Sequence, residues 1–342
     1  MTAAHDHERM ARALELAASA RALAPPNPWV GCVIEAADGT VFEGATHAVG
    51  GPHAEAAALA AAGRHDLEGA TAWVTLEPCS HHGRTPPCAD ALVAAGVRRV
   101  VVALEDPDAK VAGQGIARLR DAGLEVDLGT GGDASTRLLA PYLHHRRTGR
   151  PFVVVKLAAT LDGRTAAPDG SSQWITGPEA RADAHRLRAE SDAVIVGAGT
   201  VRADDPSLTV RHADAPRGDP LRVVLGRAPE KAKVRPCLEH DGPIEELLDQ
   251  LGAKGHVQVL VEGGATVAHA LHESGLVDRY VLYLAPALFG GDDARGLFAG
   301  PGAATIAEVW RGRLAGVTRL GDDLRIELEA PRRASGAAPR RR

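Results

Sequence analysis

The stretch TLEPCSHHGRTPPC, residues 75–88, sets Cys79 and Cys88 nine positions apart, and GGPHAEA upstream adds His53 and Glu55. Two thiols and an imidazole are donors of the softness zinc prefers, and three protein ligands leave a fourth position open for chemistry. Glu55 is left over from that ligand set. A carboxylate beside zinc suits proton transfer, because it can take a proton from the attacking water and return it to a leaving amine. Singly, a buried cysteine or a histidine near a helix start is an ordinary structural residue. Together, with one Pro-Cys closing a strand and the other opening a helix, they read as a hydrolytic metal centre. His81 and His82 read as loop residues beside substrate. Cys32, in an expected strand, and Cys237, in a polar loop, carry no expected chemistry.

The elements that must position these residues follow from periodicity. Met10, Leu14, Ala17 and Ala18 form a helical stripe that stops before PPNP at residues 25–28. WVGCVIEA and TVFEGATH, parted by Asp-Gly, read as a hairpin. HAEAAALAAAG reads as a helix beginning beside His53, where free N–H groups favour a carboxylate or thiolate. ATAWVTLEP (strand), ADALVAAG (helix), RRVVVALED (strand), GIARLRDAG (helix) and LEVDLG (strand) then alternate, which implies an α/β sheet covered by helices. The polar, basic PYLHHRRTGR, residues 141–150, marks a domain boundary, and alternation restarts at PFVVVKLAATLDG. It continues through ARADAHRLRAES (helix), DAVIVGAGTV and LRVVLG (strands), IEELLDQLG (helix), HVQVLVEGG (strand) and ATVAHALHESG (helix). The expected domains are 1–146 and 147–330, with a flexible Arg-rich tail over 331–342.

Composition narrows the partners. A chain of 342 residues that is 45% hydrophobic suits two domains rather than disorder. Only 3% of residues are aromatic and the formal charge is −5, a poor endowment for stacking or gripping nucleic acid, although a small anionic substrate remains compatible. No apolar run reaches the roughly 18 residues of a membrane span, and the first residues lack a cationic-then-apolar leader, so no membrane partner and a cytoplasmic location are expected. Four cysteines in so long a chain do not make a disulfide framework.

Zinc nucleobase deaminases carry H-x-E followed by P-C-x-x-C. This chain has HAE and PC, with eight residues between the cysteines instead of two. That longer loop, together with PNPWVGCVI, HAEAAAL and VTLEPCSHHGRTPPCADAL, closely resembles the deaminase half of the bifunctional riboflavin-biosynthesis deaminase-reductases. The resemblance continues in order through VALEDPDAKVAGQGIARLRDAGLEV, KLAATLDGRTA, SSQWITGPEARADAHRLRA, DAVIVGAGTVRADDPSLTVR and VLVEGGATVAHAL, and so covers nearly the whole chain. It implies a cytidine-deaminase-like three-layer α/β/α domain followed by a dihydrofolate-reductase-like α/β domain. The implied reactions are hydrolytic removal of the 2-amino group of 2,5-diamino-6-ribosylamino-4(3H)-pyrimidinone 5′-phosphate, then NADPH-dependent reduction of ribosyl to ribityl.

Carried over by matching motif, the resemblance implies that His53, Cys79 and Cys88 hold zinc, that Glu55 shuttles the proton and that Asn27 fixes the pyrimidine edge. For NADPH it implies Ala158, Trp174, Thr200 and Asp204, with Gly264, Ala265, Thr266, Val267, Ala268, His269 and Ala270 at the cofactor phosphate. For substrate it implies Ser172, Arg188, Leu208, Arg211 and Glu262; guanidinium groups at 188 and 211 suit the ribose phosphate. Lys156 is expected in the same cleft, where it and Asp204 polarise or protonate the opening sugar. A homo-oligomer is implied as well. Three departures stand out: the family's Asn-x-x-Phe closing the first domain is here APYLHH, its Asp after RVVL is Gly226, and the 226–261 stretch is shortened, which bears on the adenosine end of the cofactor. No G-x-G-x-x-G is present, so a standard Rossmann site is not supported. Competing readings are a nucleic-acid base deaminase, a zinc-stabilised scaffold and a deaminase whose reductase half is degenerate.

Overall fold

The computed structural model describes residues 2–81 and 86–331 and divides between Arg150 and Pro151 into two compact units. His82 and the expected tail beyond residue 331 lie outside the described residues.

The first unit runs α1 (Ala3–Ser19), β1 (Gly31–Glu35), β2 (Val41–Ala45), α2 (Ala54–Ala62), β3 (Thr71–Val74), α3 (Cys88–Ala94), β4 (Arg99–Val102), α4 (Gln114–Asp121), β5 (Glu125–Leu128), α5 (Gly132–Leu138) and α6 (Ala140–Thr148). Its sheet has the order β2-β1-β3-β4-β5, antiparallel through β1 and β2 and parallel from β3 to β5. The Asp-Gly hairpin forms as expected, with Glu35 opposite Val41. TAWV is wholly buried and RVVV nearly so, the continuous apolar pattern of strands covered on both faces. Met10, Ala13, Val33, Trp73 and Val101 share one core. Small residues let the helices seat closely: a Cβ at Gly44 would lie 2.2 Å from the Ala54 carbonyl oxygen, so α2 rests directly on β2. Asp6 pins α1 to the sheet, accepting from Trp73 Nε1 at 2.9 Å and from both ends of the Arg99 fork at 2.8 and 2.9 Å.

One segment departs from expectation. PYLHHRRTGR is not merely a polar connection; residues through Thr148 form α6, which buries Pro141, Tyr142 and Leu143 and turns its His and Arg residues to the last turn. Pro in the first turn is tolerated because its missing N–H has no intrahelical partner there.

The second unit runs β6 (Phe152–Thr160), β7 (Arg164–Ala166), α7 (Pro178–Ala189), β8 (Ala193–Gly197), α8 (Ala198–Asp204), β9 (Leu221–Leu225), β10 (Leu238–His240), α9 (Ile244–Ala253), β11 (Gln258–Val261), α10 (Ala265–Glu273), β12 (Arg279–Ala285), β13 (Arg295–Gly296), β14 (Arg313–Leu320) and β15 (Asp323–Glu329). Eight strands lie in the order β10-β9-β8-β11-β6-β12-β15-β14, parallel through β12 and antiparallel at β15 and β14. Val153, Val155 and Leu157 of β6 join the main core with Ile195, Val259, Val261 and Leu271. Alternation along the strand then sends Lys156 and Ala158 to the opposite face. DAVIVGAGTV, expected as one strand, splits: β8 stops at Gly197 and α8 begins at Ala198. The antiparallel pair β14–β15 beyond the last expected helix is an addition to the sequence reading. Both units are α/β, as expected. No helix among the described residues is long and apolar enough to cross a membrane.

Candidate functional site

In the first unit the expected ligands converge. His53 is the cap residue ahead of α2, Cys88 is the first residue of α3, and Cys79 lies beyond the end of β3. His53 Nδ1 is 3.6 Å from Cys79 Sγ and 3.4 Å from Cys88 Sγ, and the three donor atoms lie within 4.8 Å of one another. A tetrahedral zinc with nitrogen at ~2.05 Å and sulfur at ~2.3 Å separates those ligands by about 3.6 Å, so the trio fits that ion. The Cys88 backbone N–H also donates to Cys79 Sγ at 3.4 Å, as suits a thiolate.

The electrostatics point the same way. Cys79 is pushed down to about 4 by the hydrogen bond from the Cys88 thiol, with burial opposing and His53 assisting. Cys88 is pushed up by that same bond and by burial. His53 is raised by its bond to Cys79. Glu55, only 4% exposed, is pushed up to about 7 by burial, with the Cys79 charge adding to it. Burial and the Cys79 charge both disfavour an ionised Glu55, a cost that a dication at the trio would relieve. Burial pushes the Cys32 thiol up and the nearby Glu55 charge adds to it, so both hold the thiol protonated.

Asn27 is half-buried in the turn ahead of β1, its N–H donating to the Ala24 carbonyl at 3.0 Å. His81 is exposed. Three residues near this site escaped sequence reasoning. The Ser80 hydroxyl, next to Cys79, is buried with no hydrogen-bond partner among the described residues. Glu77, 4% exposed, accepts four backbone N–H groups. Asp106 is pushed up to about 6 by burial and accepts from the Tyr142 hydroxyl at 3.1 and 3.2 Å. The available signal was polarity inside apolar runs, as in VTLEP and VVALED.

In the second unit, Lys156, Arg188 and Glu262 come together. Arg188 Nε and Nη2 donate to the two Glu262 carboxylate oxygens at 2.6 and 3.0 Å, and Nη1 donates to the Thr209 carbonyl at 3.1 Å. Burial pushes Glu262 up, but Arg188 and Lys156 outweigh it and hold the carboxylate below its ordinary range. Burial pushes Lys156 down, with Glu262 opposing and Arg188 adding to the effect. The fork expected to grip a substrate phosphate is therefore engaged by Glu262. Arg211 is exposed, its Nη1 donating to Ser207 Oγ at 2.7 Å and Thr209 Oγ1 at 3.1 Å. Leu208 between them is 3% exposed. His185, absent from the sequence reading, accepts from the Arg211 N–H at 3.2 Å and is pushed down to about 4 by burial, then by Arg188, Arg211 and His212. Its three-residue spacing from Arg188 on α7 was the signal.

Thr200 meets the Gly-Gly turn: its hydroxyl accepts from the Gly264 N–H at 3.2 Å, ahead of α10. Ala265, Val267 and His269 are half-buried, and Thr266 and Ala270 are exposed. Ala268 is 0% exposed and belongs to the core, so its side chain is turned away from any ligand at that turn. Ala158 sits two residues beyond Lys156 on the same face of β6. Ser172 is half-buried, Asp204 is exposed at the end of α8, and Trp174 is 70% exposed with the Arg181 guanidinium 4.8 Å from its ring. Asp204 is not among the charges that act on Lys156; those are Glu262 and Arg188.

Comparison with known proteins agrees with both halves. Residues 3–104 match the cytidine and deoxycytidylate deaminase zinc-binding region, and residues 151–326 match the RibD C-terminal domain. The riboflavin biosynthesis protein RibD of Escherichia coli is 41% identical, with 94% of this chain and 99% of that protein covered. The one from Mycobacterium tuberculosis is 42% identical over 94% of this chain and 97% of its own length. Among solved structures, Acinetobacter baumannii RibD superposes with a TM-score of 0.87 at 41% identity, covering 96% of this chain and 99% of that one. A diaminohydroxyphosphoribosylaminopyrimidine deaminase/5-amino-6-(5-phosphoribosylamino)uracil reductase from Thermotoga maritima gives 0.85 at 32% identity, with the same coverage. This chain therefore belongs to the RibD family of bifunctional riboflavin-biosynthesis enzymes, a zinc-dependent deaminase followed by an NADPH-dependent reductase.

Proposed function

We propose that the deaminase unit, assigned to 1–146, removes the 2-amino group of 2,5-diamino-6-ribosylamino-4(3H)-pyrimidinone 5′-phosphate, and that the reductase unit, assigned to 147–330, reduces the ribosyl chain to ribityl. The observation that carries the first step is the His53–Cys79–Cys88 trio at zinc spacing with Glu55 buried beside it. Zinc, when bound, supplies Lewis acidity that lets water react near neutral pH. Glu55 accepts the proton from the attacking water on its carboxylate and hands it to the departing nitrogen, so ammonia leaves rather than an amide anion. Asn27 orients the pyrimidine through its amide. Ser80 offers the substrate a hydroxyl that no group among the described residues uses.

In the reductase unit, NADPH supplies the hydride. The Gly264 turn held by Thr200 would take the cofactor's phosphate, and Ala158, Trp174 and Asp204 would help hold the rest of it. Lys156, lowered by burial, protonates the sugar oxygen as the ring opens, and Glu262 with Arg188 fixes where that ammonium sits. Arg211, with Ser172 beside the substrate, takes the phosphate. The shortened 226–261 stretch leaves the adenosine end of the cofactor with fewer contacts. We infer a cytoplasmic enzyme, and a homo-oligomer whose contacts include the exposed Leu288, Ile306, Leu314 and Val317, 70%, 77%, 56% and 54% accessible.

Mass spectrometry of the diamino substrate after incubation with zinc-replete protein, with and without NADPH, tests this reading. The expected result is exchange of an amine for oxygen in both samples and addition of two hydrogens only with NADPH. No change in either sample overturns the substrate assignment.

A further inference from the structure

Cys79 lies in a loop, and a loop ligand needs a support. The Glu77 side chain sits two residues before it, almost wholly buried at 4% exposure. Its Oε2 accepts the N–H of Asp106 at 3.1 Å and of Gly113 at 3.0 Å. Its Oε1 accepts the N–H of Gly115 at 2.8 Å and of Ile116 at 3.1 Å. Three of these donors are the free N–H groups at the start of α4, whose cap residue is Gly113 and has no side chain of its own to satisfy them. Glu77 therefore does from another segment what a capping side chain does locally, and a buried carboxylate with four donors is firmly held.

The contact is reinforced at the next residue. A Cβ on Gly115 would lie 1.9 Å from the Pro78 carbonyl oxygen, so α4 touches the chain between Glu77 and Cys79 with backbone alone. On its other side Cys79 is tied to α3, its carbonyl accepting from the Ala89 N–H at 3.1 Å. We propose that Glu77 is the positioning residue for the metal ligand Cys79: its carboxylate locks the Glu77–Pro78–Cys79 segment onto the first turn of α4 and thereby sets where the Cys79 sulfur stands relative to His53 and Cys88. The inference rests on the assignment of those three residues as zinc ligands.

Glu77→Gln keeps the shape and removes the charge: one oxygen still accepts, but the new NH2 group faces two N–H donors that it cannot satisfy. Gly115→Ala attacks the same lock from the α4 side. Asp6→Asn serves as comparator, since it disturbs a buried, multiply bonded carboxylate in the same unit that is no part of the metal site. Zinc affinity of the full chain is measured by competition with a chromophoric chelator, and cobalt(II) is added to the zinc-free protein to read its thiolate charge-transfer band. Glu77→Gln and Gly115→Ala are each expected to weaken zinc by about 10–100-fold, the range for supports of metal ligands, and to alter the cobalt band. Asp6→Asn is expected to lower Tm while zinc affinity stays within about twofold, and NADPH-dependent reduction of already deaminated substrate persists in all three. If Glu77→Gln keeps wild-type zinc affinity and cobalt spectrum, or if Asp6→Asn loses as much zinc, the inference is overturned. Should Glu77→Gln not fold, Gly115→Ala alone decides. A wild-type protein that takes up neither zinc nor cobalt through thiolates overturns the ligand assignment instead.

Discussion

The two sites differ in how their charges are balanced. In the first unit, burial drives Glu55 up to about 7, with the charge of the ligand Cys79 adding to it. In the second, Glu262 already has Arg188 as a bidentate partner and Lys156 nearby, and stays ionised below its ordinary range. The first is built around a cation that must arrive; the second carries its own cations and must keep them in order. Metal loss should therefore cripple the first site alone, whereas broken ion pairs should cripple the second alone.

The largest effect tests the first half of that contrast. Glu55→Gln should lower deamination by about 10²–10⁴-fold, the contribution of a general acid–base group, with zinc content and reduction unchanged. Steady-state assay of each reaction with metal analysis checks this; equal loss of both reactions would show that the sites are not independent.

Next in size, Glu262→Gln leaves the buried Arg188 without its charged partner. Side chains at 13% and 9% exposure place the pair among buried ion pairs, and removing one member of such a pair costs about 3–5 kcal/mol. Thermal unfolding followed through each activity should show the reductase inactivating earlier and the deaminase unmoved.

A smaller effect lies in pH. His185 falls from 6.5 to about 4 in the folded state, so the unfolded chain takes up a proton first on acidification. Its stabilising contribution is full above 6.5 and is lost as pH drops through 4. Asp106 rises from 3.8 to about 6, so its contribution is full below 3.8 and is lost as pH climbs through 6. Between pH 4 and 6 the two residues push their units in opposite directions. Pulse proteolysis in urea, following each unit as its own fragment, should show His185→Gln and Asp106→Asn each flattening only its own unit's profile.

The smallest effect belongs to Ser80→Ala. Because the hydroxyl has no partner among the described residues, stability should hold, while KM for deamination rises a few-fold, about 1 kcal/mol for one lost hydrogen bond. Unchanged KM would remove Ser80 from the substrate's contacts.

Much of the fold and of the metal site is legible in the sequence alone. The Asp-Gly hairpin, the helix after His53 and the convergence of His53, Cys79 and Cys88 follow from periodicity and from ligand types held in a short stretch. What escapes is long-range. Glu77 owes its role to donors at Gly113, Gly115 and Ile116, and Arg188 owes its engagement to Glu262, 74 positions away. No local pattern announces such partners. α6 is hidden because its buried Pro141, Tyr142 and Leu143 are followed by a polar half that resembles a linker. α8 is hidden because GAGT continues an apolar strand without a capping side chain. β14 escapes because most of its residues are exposed, so the alternation that betrays a half-buried strand is faint.

The most direct test of two separable sites in one chain is the product formed by Lys156→Met. Given diamino substrate, zinc and NADPH, this variant should accumulate the deaminated, unreduced compound, seen by mass spectrometry as an amine replaced by oxygen with no added hydrogens. Appearance of the two-hydrogen product at the wild-type rate, or loss of deamination along with reduction, would contradict the account.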